Sequence, residues 1–143
     1  MEKLTGLNKL KTAVFISGNG SNFKNLLKFS KIKEAPISIN LVISNDNKAK
    51  GLKYADQINV KKKIFNFKDI EAEKKILTLL KKEKINFICL AGFMKILSKN
   101  FIKKFDGKII NIHPSLLPKY KGLNTHYKAI ANKDKFTGCT VHY

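Results

Sequence analysis

Two residues near the end of the chain have the types and spacing for proton and oxyanion chemistry. In Asn111-Ile112-His113-Pro114 an amide donor and a titratable imidazole stand two apart, after the short apolar run Gly107-Lys108-Ile109-Ile110. That run reads as a buried strand opening after a turn. The two-residue period of a strand puts Asn111 and His113 on the same side of its carboxyl end. Pro114 ends the strand, and Pro118, four residues on, stiffens the loop that follows. An amide held beside an imidazole suits acyl transfer, because the amide stabilises an oxyanion while the imidazole moves a proton. A capping Asn and an ordinary surface His at a polar strand end would show the same spacing, so the pair alone does not decide.

A second stretch points to an anion. Residues 12–17 (TAVFIS) are apolar and β-branched and read as the first strand. They run into Gly18-Asn19-Gly20-Ser21-Asn22, after which Phe23, Leu26, Leu27 and then Ile32 recur at helical spacing. A strand, a glycine turn and a helix aim backbone N–H groups and a helix dipole at a negative charge. Phe23 stands where a dinucleotide fingerprint has its third glycine, and no Gly-Lys-Ser/Thr follows as a nucleoside-triphosphate loop requires. A single phosphate monoester is therefore the expected ligand. The alternative is a glycine-rich turn that binds nothing.

The elements that position these stretches alternate. Residues 37–44 (ISINLVIS) read as a second strand, and Asn45-Asp46-Asn47 marks the turn and helix start after it. Ala49, Leu52, Ala55 and Ile58 give a short helix, and residues 63–67 a weaker third strand. Residues 69–83 form the clearest helix, with Ile70, Ile76, Leu77 and Leu80 as its apolar face. Residues 87–91 (FICLA) read as a fully buried fourth strand, and Gly92 opens the loop Phe93-Met94-Lys95-Ile96-Leu97. Ser98 caps a short helix reaching Phe105, and residues 109–113 are the fifth strand. Strands alternating with helices predict an α/β fold, a Rossmann-like, doubly wound, mostly parallel sheet. Ligands of such sheets bind outside the carboxyl ends of the strands, where residues 18–22, 92–97 and 111–113 all fall. No internal repeat, linker or low-complexity segment appears, and 143 residues make a single domain, residues 1–143.

Composition narrows the partners. Hydrophobic residues at 43% and aromatic residues at 10% describe a globular chain. No apolar run approaches the roughly 20 residues a membrane span needs, and residues 1–11 carry charges where a signal peptide has its apolar region. A cytoplasmic protein is expected, with Cys89 and Cys139 as buried, reduced thiols in strand-like runs. The net charge of +19 suggests nucleic acid. Yet all 29 basic residues are lysine, and arginine is the usual side chain for bidentate base and phosphate contacts. The lysines are scattered among Asn, Ile and Phe, as AT-biased coding produces. No specific nucleic-acid partner is expected. His126 and His142 have no ligand spacing with His113 or the cysteines, so no metal is expected either.

The motifs SGNGSN at residues 17–22, LAGFMKILS at 90–98 and NIHPSLLPKYKG at 111–122 resemble phosphoribosylglycinamide formyltransferase, the folate-dependent enzyme of purine synthesis. The resemblance runs from Thr12 to the last residue, in the family's order and spacing. VISN at 42–45 and the GxTVHY run ending at Tyr143 add weaker support. The third motif is shared by other formyltransferases that use 10-formyltetrahydrofolate. The first discriminates, because it serves a substrate phosphate that the tRNA-directed relatives lack. The resemblance implies transfer of a formyl group from 10-formyltetrahydrofolate, as co-substrate, to the amine of glycinamide ribonucleotide. Gly18, Asn19, Gly20, Ser21 and Asn22 would hold the ribose phosphate. Met94, Lys95, Ile96 and Leu97, with Asn111, would line the folate pocket, three of them as an apolar slot with backbone amides meeting the pteridine edge. Asn111 and His113 would stabilise the oxygen of the tetrahedral intermediate, His113 also relaying a proton.

Departures from the family pattern accompany the resemblance. The family carries an aspartate in a D-E-L-D-x-G run, after the strand that ends here at Tyr143, which orients the catalytic His. No residue here fills that position, nor the C-terminal strands and helix, so the chain is expected to be the N-terminal two-thirds of the domain with impaired activity. The first His of the family's H-T-H segment is Asn124, while Thr125 and His126 are kept; His126 is read either as a substrate contact or as a surface His at a helix start. The alternatives are a non-catalytic phosphate- or folate-binding remnant, a formyltransferase for another amine such as methionyl-tRNA, and a lysine-rich nucleic-acid binder. Oligomeric state is not legible.

Overall fold

The computed structural model describes residues 8–143, so most of the segment weighed above as a signal peptide lies outside the described residues. The chain divides into two compact units, one ending at Ile109 and the other beginning at Ile110.

The first unit is built on β1 (Leu10–Ile16), whose residues from Thr12 onward are fully buried. β1 pairs in parallel with β2 (Ile37–Ser44) on one side and β4 (Phe87–Leu90) on the other, and β2 pairs in parallel with β3 (Lys61–Ile64). The order β3-β2-β1-β4 bears out the mostly parallel α/β expectation. Alternation along β1 sends side chains to both faces. Ala13 and Phe15 join Leu41 and Ile43 of β2 and Ile88 of β4 in a core with Ile76, Leu80, Leu97, Phe101 and Phe105. Phe93 sits edge-to-face on Phe15 and on Phe67, with ring centroids 5.3 Å apart in both pairs. This aromatic chain seats the loop after β4 on the central strand. α1 (Ser21–Ser30) buries Phe23 and Leu27, and α2 (Leu52–Gln57) buries Leu52 and Ala55.

Several boundaries differ from the sequence expectation. The third strand begins two residues earlier, at Lys61, and its side chains are exposed. Phe65 and Phe67 follow it and pack partly buried against the core. Their apolar bulk was legible, but not that it packs from a loop. α3 (Ala72–Lys82) starts three residues later than expected, because Asp69 and Asn66 form turns that hold the backbone N–H groups of Glu71 and Lys68. Ile70 therefore lies outside the helix at 94% exposure, while Ile76 and Leu80 are buried. Ile32 likewise falls beyond α1 and is exposed. Phe87 and Leu90 are only half-buried, so β4 is not fully buried. Ser98 does cap α4 (Lys99–Lys104), its Oγ accepting from Phe101 N at 3.0 Å. Glu73 of α3 then accepts from Ser98 N at 2.8 Å and from Ser98 Oγ at 2.5 Å, tying the two helices together.

The second unit holds β5 from Ile110 onward (Lys108–His113), α5 (Thr125–Ala131) and β6 (Thr140–His142). β5 and β6 pair antiparallel, with Asn111 opposite His142 and His113 opposite Thr140. Cys139 lies just before β6 and is exposed, so only Cys89 is a buried thiol. Burial pushes the Cys89 thiol up to about 11, which keeps it protonated and inert at neutral pH. Among the described residues no helix is long and apolar enough to cross a membrane.

Ser98→Ala removes a cap and one of the bonds to Glu73, and is expected to lower stability by about 1 kcal/mol in denaturant titration. Lys61 donates to Glu83 and holds its carboxyl below the ordinary 4.5. A depressed folded-state value stabilises above that ordinary value, and the stabilisation is lost as pH falls through the lowered one. Glu83→Gln is therefore expected to be less stable than the parent at pH 7, and the gap should close in acid.

Candidate functional site

The glycine loop follows β1 directly and opens α1. Gly20 is the residue before the helix, at φ 75, where no side chain caps the first turn. Its left-handed conformation favours glycine, and space demands it as well. A Cβ on Gly20 would sit 2.6 Å from Gly51 Cα, and one on Gly51 would sit 2.9 Å from Gly20 Cα and from Ile16 Cδ1. Gly51 N donates to Gly18 O at 3.0 Å, closing the crossing of the two backbones. The leading N–H groups of α1 thus have no side-chain acceptor, the arrangement that receives an anion. Tyr54 of α2 lies beside Gly20, and its ring carries Lys24 Nζ at 5.6 Å and Lys53 Nζ at 5.2 Å. Two ammonium groups therefore stand near the same loop. Neither they nor Tyr54 were singled out from the sequence; a Gly-Leu-Lys-Tyr run offers no motif to find them by.

One hydroxyl joins this loop to the expected folate loop. Ser17 Oγ donates to Asn45 Oδ1 at 2.5 Å and accepts from Met94 N at 2.7 Å. Ser17, Asn45 and Met94 follow β1, β2 and β4, so the bond set binds the carboxyl ends of three adjacent parallel strands. All three residues lie in stretches quoted above, but no role for Ser17 or Asn45 is legible there.

The apolar slot expected at Met94, Ile96 and Leu97 is only partly formed. Met94 is 62% exposed and Ile96 is 96% exposed, with Lys95 also exposed, whereas Leu97 is buried at 8% in the core. Leu97 plugs the core and offers no free surface, because it precedes the capped start of α4 and turns inward with Phe101. The Met94 N–H is donated to Ser17 and is not free to meet a pteridine edge.

In the second unit Asn111 and His113 stand half-buried on one side of β5. His113 Nε2 lies 2.9 Å from the backbone oxygen of Tyr120. A carbonyl only accepts, so Nε2 carries the proton, and in the neutral ring Nδ1 is left as the basic atom. His142 Nδ1 lies 3.0 Å from Tyr143 O and by the same reasoning donates to it. Its Nε2 is then an acceptor for Asn111 Nδ2 at 3.4 Å, which fixes the sense of the Asn111 amide. Ser115, 1% exposed, donates to Lys119 O at 2.6 Å and accepts from Thr140 through its own carbonyl at 2.8 Å. The turn after His113 is thus pinned to the start of β6. His126 is exposed, one residue into α5, as a helix-start surface residue. Among the described residues no three His, Cys, Asp or Glu side chains lie together as metal ligands do.

Comparison with known proteins matches this architecture. A match to the formyl transferase family covers residues 10–143. The chain is 43% identical over 137 residues to phosphoribosylglycinamide formyltransferase of Haemophilus influenzae, covering 93% of this chain and 65% of that protein. It is 41% identical over 140 residues to the trifunctional purine biosynthetic protein adenosine-3 of Gallus gallus, spanning 95% of this chain and 14% of that one. The crystal structure of glycinamide ribonucleotide transformylase 1 from Geobacillus kaustophilus superposes with a TM-score of 0.89 at 36% identity, over 95% of this chain and 74% of that one. The phosphoribosylglycinamide formyltransferase of Anaplasma phagocytophilum does so with a TM-score of 0.87 at 41% identity, covering 95% and 65%. The chain therefore spans about two-thirds of its single-function relatives and a small part of the trifunctional ones. It belongs to the formyl transferase family, with phosphoribosylglycinamide formyltransferases as the members it resembles.

Proposed function

We propose that this chain is part of a phosphoribosylglycinamide formyltransferase, a cytoplasmic enzyme of purine biosynthesis that formylates the amine of glycinamide ribonucleotide. The family match runs without interruption over both compact units, which supports reading residues 1–143 as one formyltransferase domain, the N-terminal two-thirds of it. The residues 18–22 take the ribose phosphate. Their support is the uncapped first turn of α1, the Gly20–Gly51 crossing and the nearby Lys24 and Lys53.

The co-substrate 10-formyltetrahydrofolate supplies an activated one-carbon group when bound. The two exposed apolar side chains Met94 and Ile96 fit a flat, largely apolar ring system, with Lys95 between them for an acidic tail. The assignment leaves Leu97 as a structural member of the loop. Asn111 Nδ2 donates to an oxygen that gathers negative charge, and His113 Nδ1 takes up and passes on the proton of the attacking amine. The observation that carries this reading is the His113 tautomer: Nε2–H is committed to the Tyr120 carbonyl, and Nδ1 keeps its lone pair. Neither a metal nor a nucleic acid has a part in it.

The test is formyl transfer by the full-length protein, followed by mass spectrometry of the product with glycinamide ribonucleotide and, separately, methionyl-tRNA as acceptor. Formylation of the ribonucleotide alone is expected; formylation of the tRNA alone would overturn the substrate assignment. Asn111→Ala and His113→Ala are each expected to lower kcat by about 10²–10³, and normal turnover by both would refute their roles. Gly51→Ala pushes against Gly20 and is expected to raise KM for the ribonucleotide while leaving kcat within a few-fold.

A further inference from the structure

His113 owes its orientation to a backbone carbonyl in a loop, and that loop is itself held by a side-chain pair that the reading above does not use. Tyr120 adopts φ 52, a left-handed conformation that a bulky residue takes only when its surroundings hold it there. Three contacts hold it. Its carbonyl accepts from His113 Nε2 at 2.9 Å and lies 3.3 Å from the buried Ser115 Oγ, sharing with the nearer Lys119 carbonyl that hydroxyl's one proton. Its phenol donates to Asp134 Oδ2 at 2.7 Å. Asp134 Oδ1 meets Lys119 Nζ at 3.3 Å, so one carboxylate grips two consecutive residues of the loop. The carboxylate has a firm base: Asp134 N donates to Ala129 O at the end of α5, and its side chain is only 17% exposed. The phenol beside it holds the Asp134 carboxyl below its ordinary value, so the residue is charged at neutral pH and the phenol stays protonated as donor.

We propose that Asp134 and the Tyr120 side chain form a clamp that selects the Nε2–H tautomer of His113, making both positioning residues for its basic Nδ1. The physical step is short. Without the clamp only the contacts on its carbonyl oppose the relaxation of Tyr120 from the left-handed conformation; once it relaxes, its carbonyl swings off His113 Nε2. The imidazole then loses the acceptor that distinguishes its two nitrogens, and the neutral ring divides between tautomers. Half-populated tautomers at a wandering ring reduce the fraction of enzyme with Nδ1 correctly presented. The proposal deepens the reading of His113 as the proton carrier and rests on it for its functional consequence, but not for its structural one.

The test reads the two separately. Imidazole ¹⁵N spectra of the full-length protein, with the His113 signals assigned from His113→Gln, report the tautomer at a pH where the ring is neutral. The parent is expected to show Nε2 protonated and Nδ1 bare. Asp134→Ala and Tyr120→Phe should shift the signals towards an averaged pair, while Asp134→Asn, which keeps an acceptor for the phenol, should restore most of the parent pattern. Formylation assays on the same variants should show kcat lowered about tenfold in Asp134→Ala, the size of one hydrogen bond's worth of positioning, with KM for the ribonucleotide unchanged. Parent-like spectra in both Asp134→Ala and Tyr120→Phe, or a parent with Nδ1 protonated, would overturn the clamp. Expected spectra in a protein without formyl transfer would leave the clamp standing and overturn the functional reading instead. Should Tyr120→Phe fail to fold, the Ala and Asn variants at Asp134 decide the matter alone.

Discussion

The first unit depends on what happens at the carboxyl edge of three parallel strands. β-strands carry no side-chain bonds between their ends, so the loops that leave them diverge unless something ties them. Here the tie is Ser17 Oγ, which donates to Asn45 after β2 and accepts from Met94 N after β4. A hydroxyl suits the position because it is donor and acceptor at once, in the space of one atom. The glycine loop and the Met94 loop are thereby fixed to each other, and the aromatic chain of Phe15, Phe93 and Phe67 anchors the second of them to the core below. What the loops do chemically follows from what this knot leaves open: the first N–H groups of α1 on one side and two exposed apolar side chains on the other.

The second unit follows a different rule. Its chemistry-bearing residues sit on β5, but their states are set by acceptors elsewhere: the Tyr120 carbonyl for His113 and the His142 ring for Asn111. A backbone carbonyl can only accept, so Tyr120 O and Tyr143 O decide which nitrogen of each ring carries a proton, and the His142 ring then sets the Asn111 amide. Tautomer and amide orientation are thus consequences of backbone geometry and not independent choices.

Much of this was legible in the sequence, and the failures share a cause. β2 was read to the residue, because ISINLVIS is rich in β-branched residues and bounded by Asn-Asp-Asn. The Ser98 cap was read because a Ser ahead of an apolar-periodic run has few other uses. Ile70 and Cys139 were misplaced, since hydrophobicity indicates that a residue favours burial and not whether the backbone delivers it there; Leu97, expected to line an accessible slot, is instead buried. The Asp69 turn delays α3 and leaves Ile70 outside, while the inward turn before α4 draws Leu97 into the core. The long-range hydrogen bonds were illegible for another reason. Ser17 to Met94 spans 77 residues and Asn111 to His142 spans 31, and no local periodicity encodes such pairings. The αL position of Tyr120 was hidden too, because nothing about a Lys-Tyr-Lys run announces a left-handed residue.

The central claim is that a phosphate-bearing amine is recognised by residues 18–22. Amide hydrogen exchange of the full-length protein, with and without glycinamide ribonucleotide, tests it most directly. Slowed exchange in peptides covering residues 18–24, absent when the unphosphorylated riboside is used, is the result this account predicts. Binding of the ribonucleotide with no protection there, or equal protection by the riboside, would contradict it.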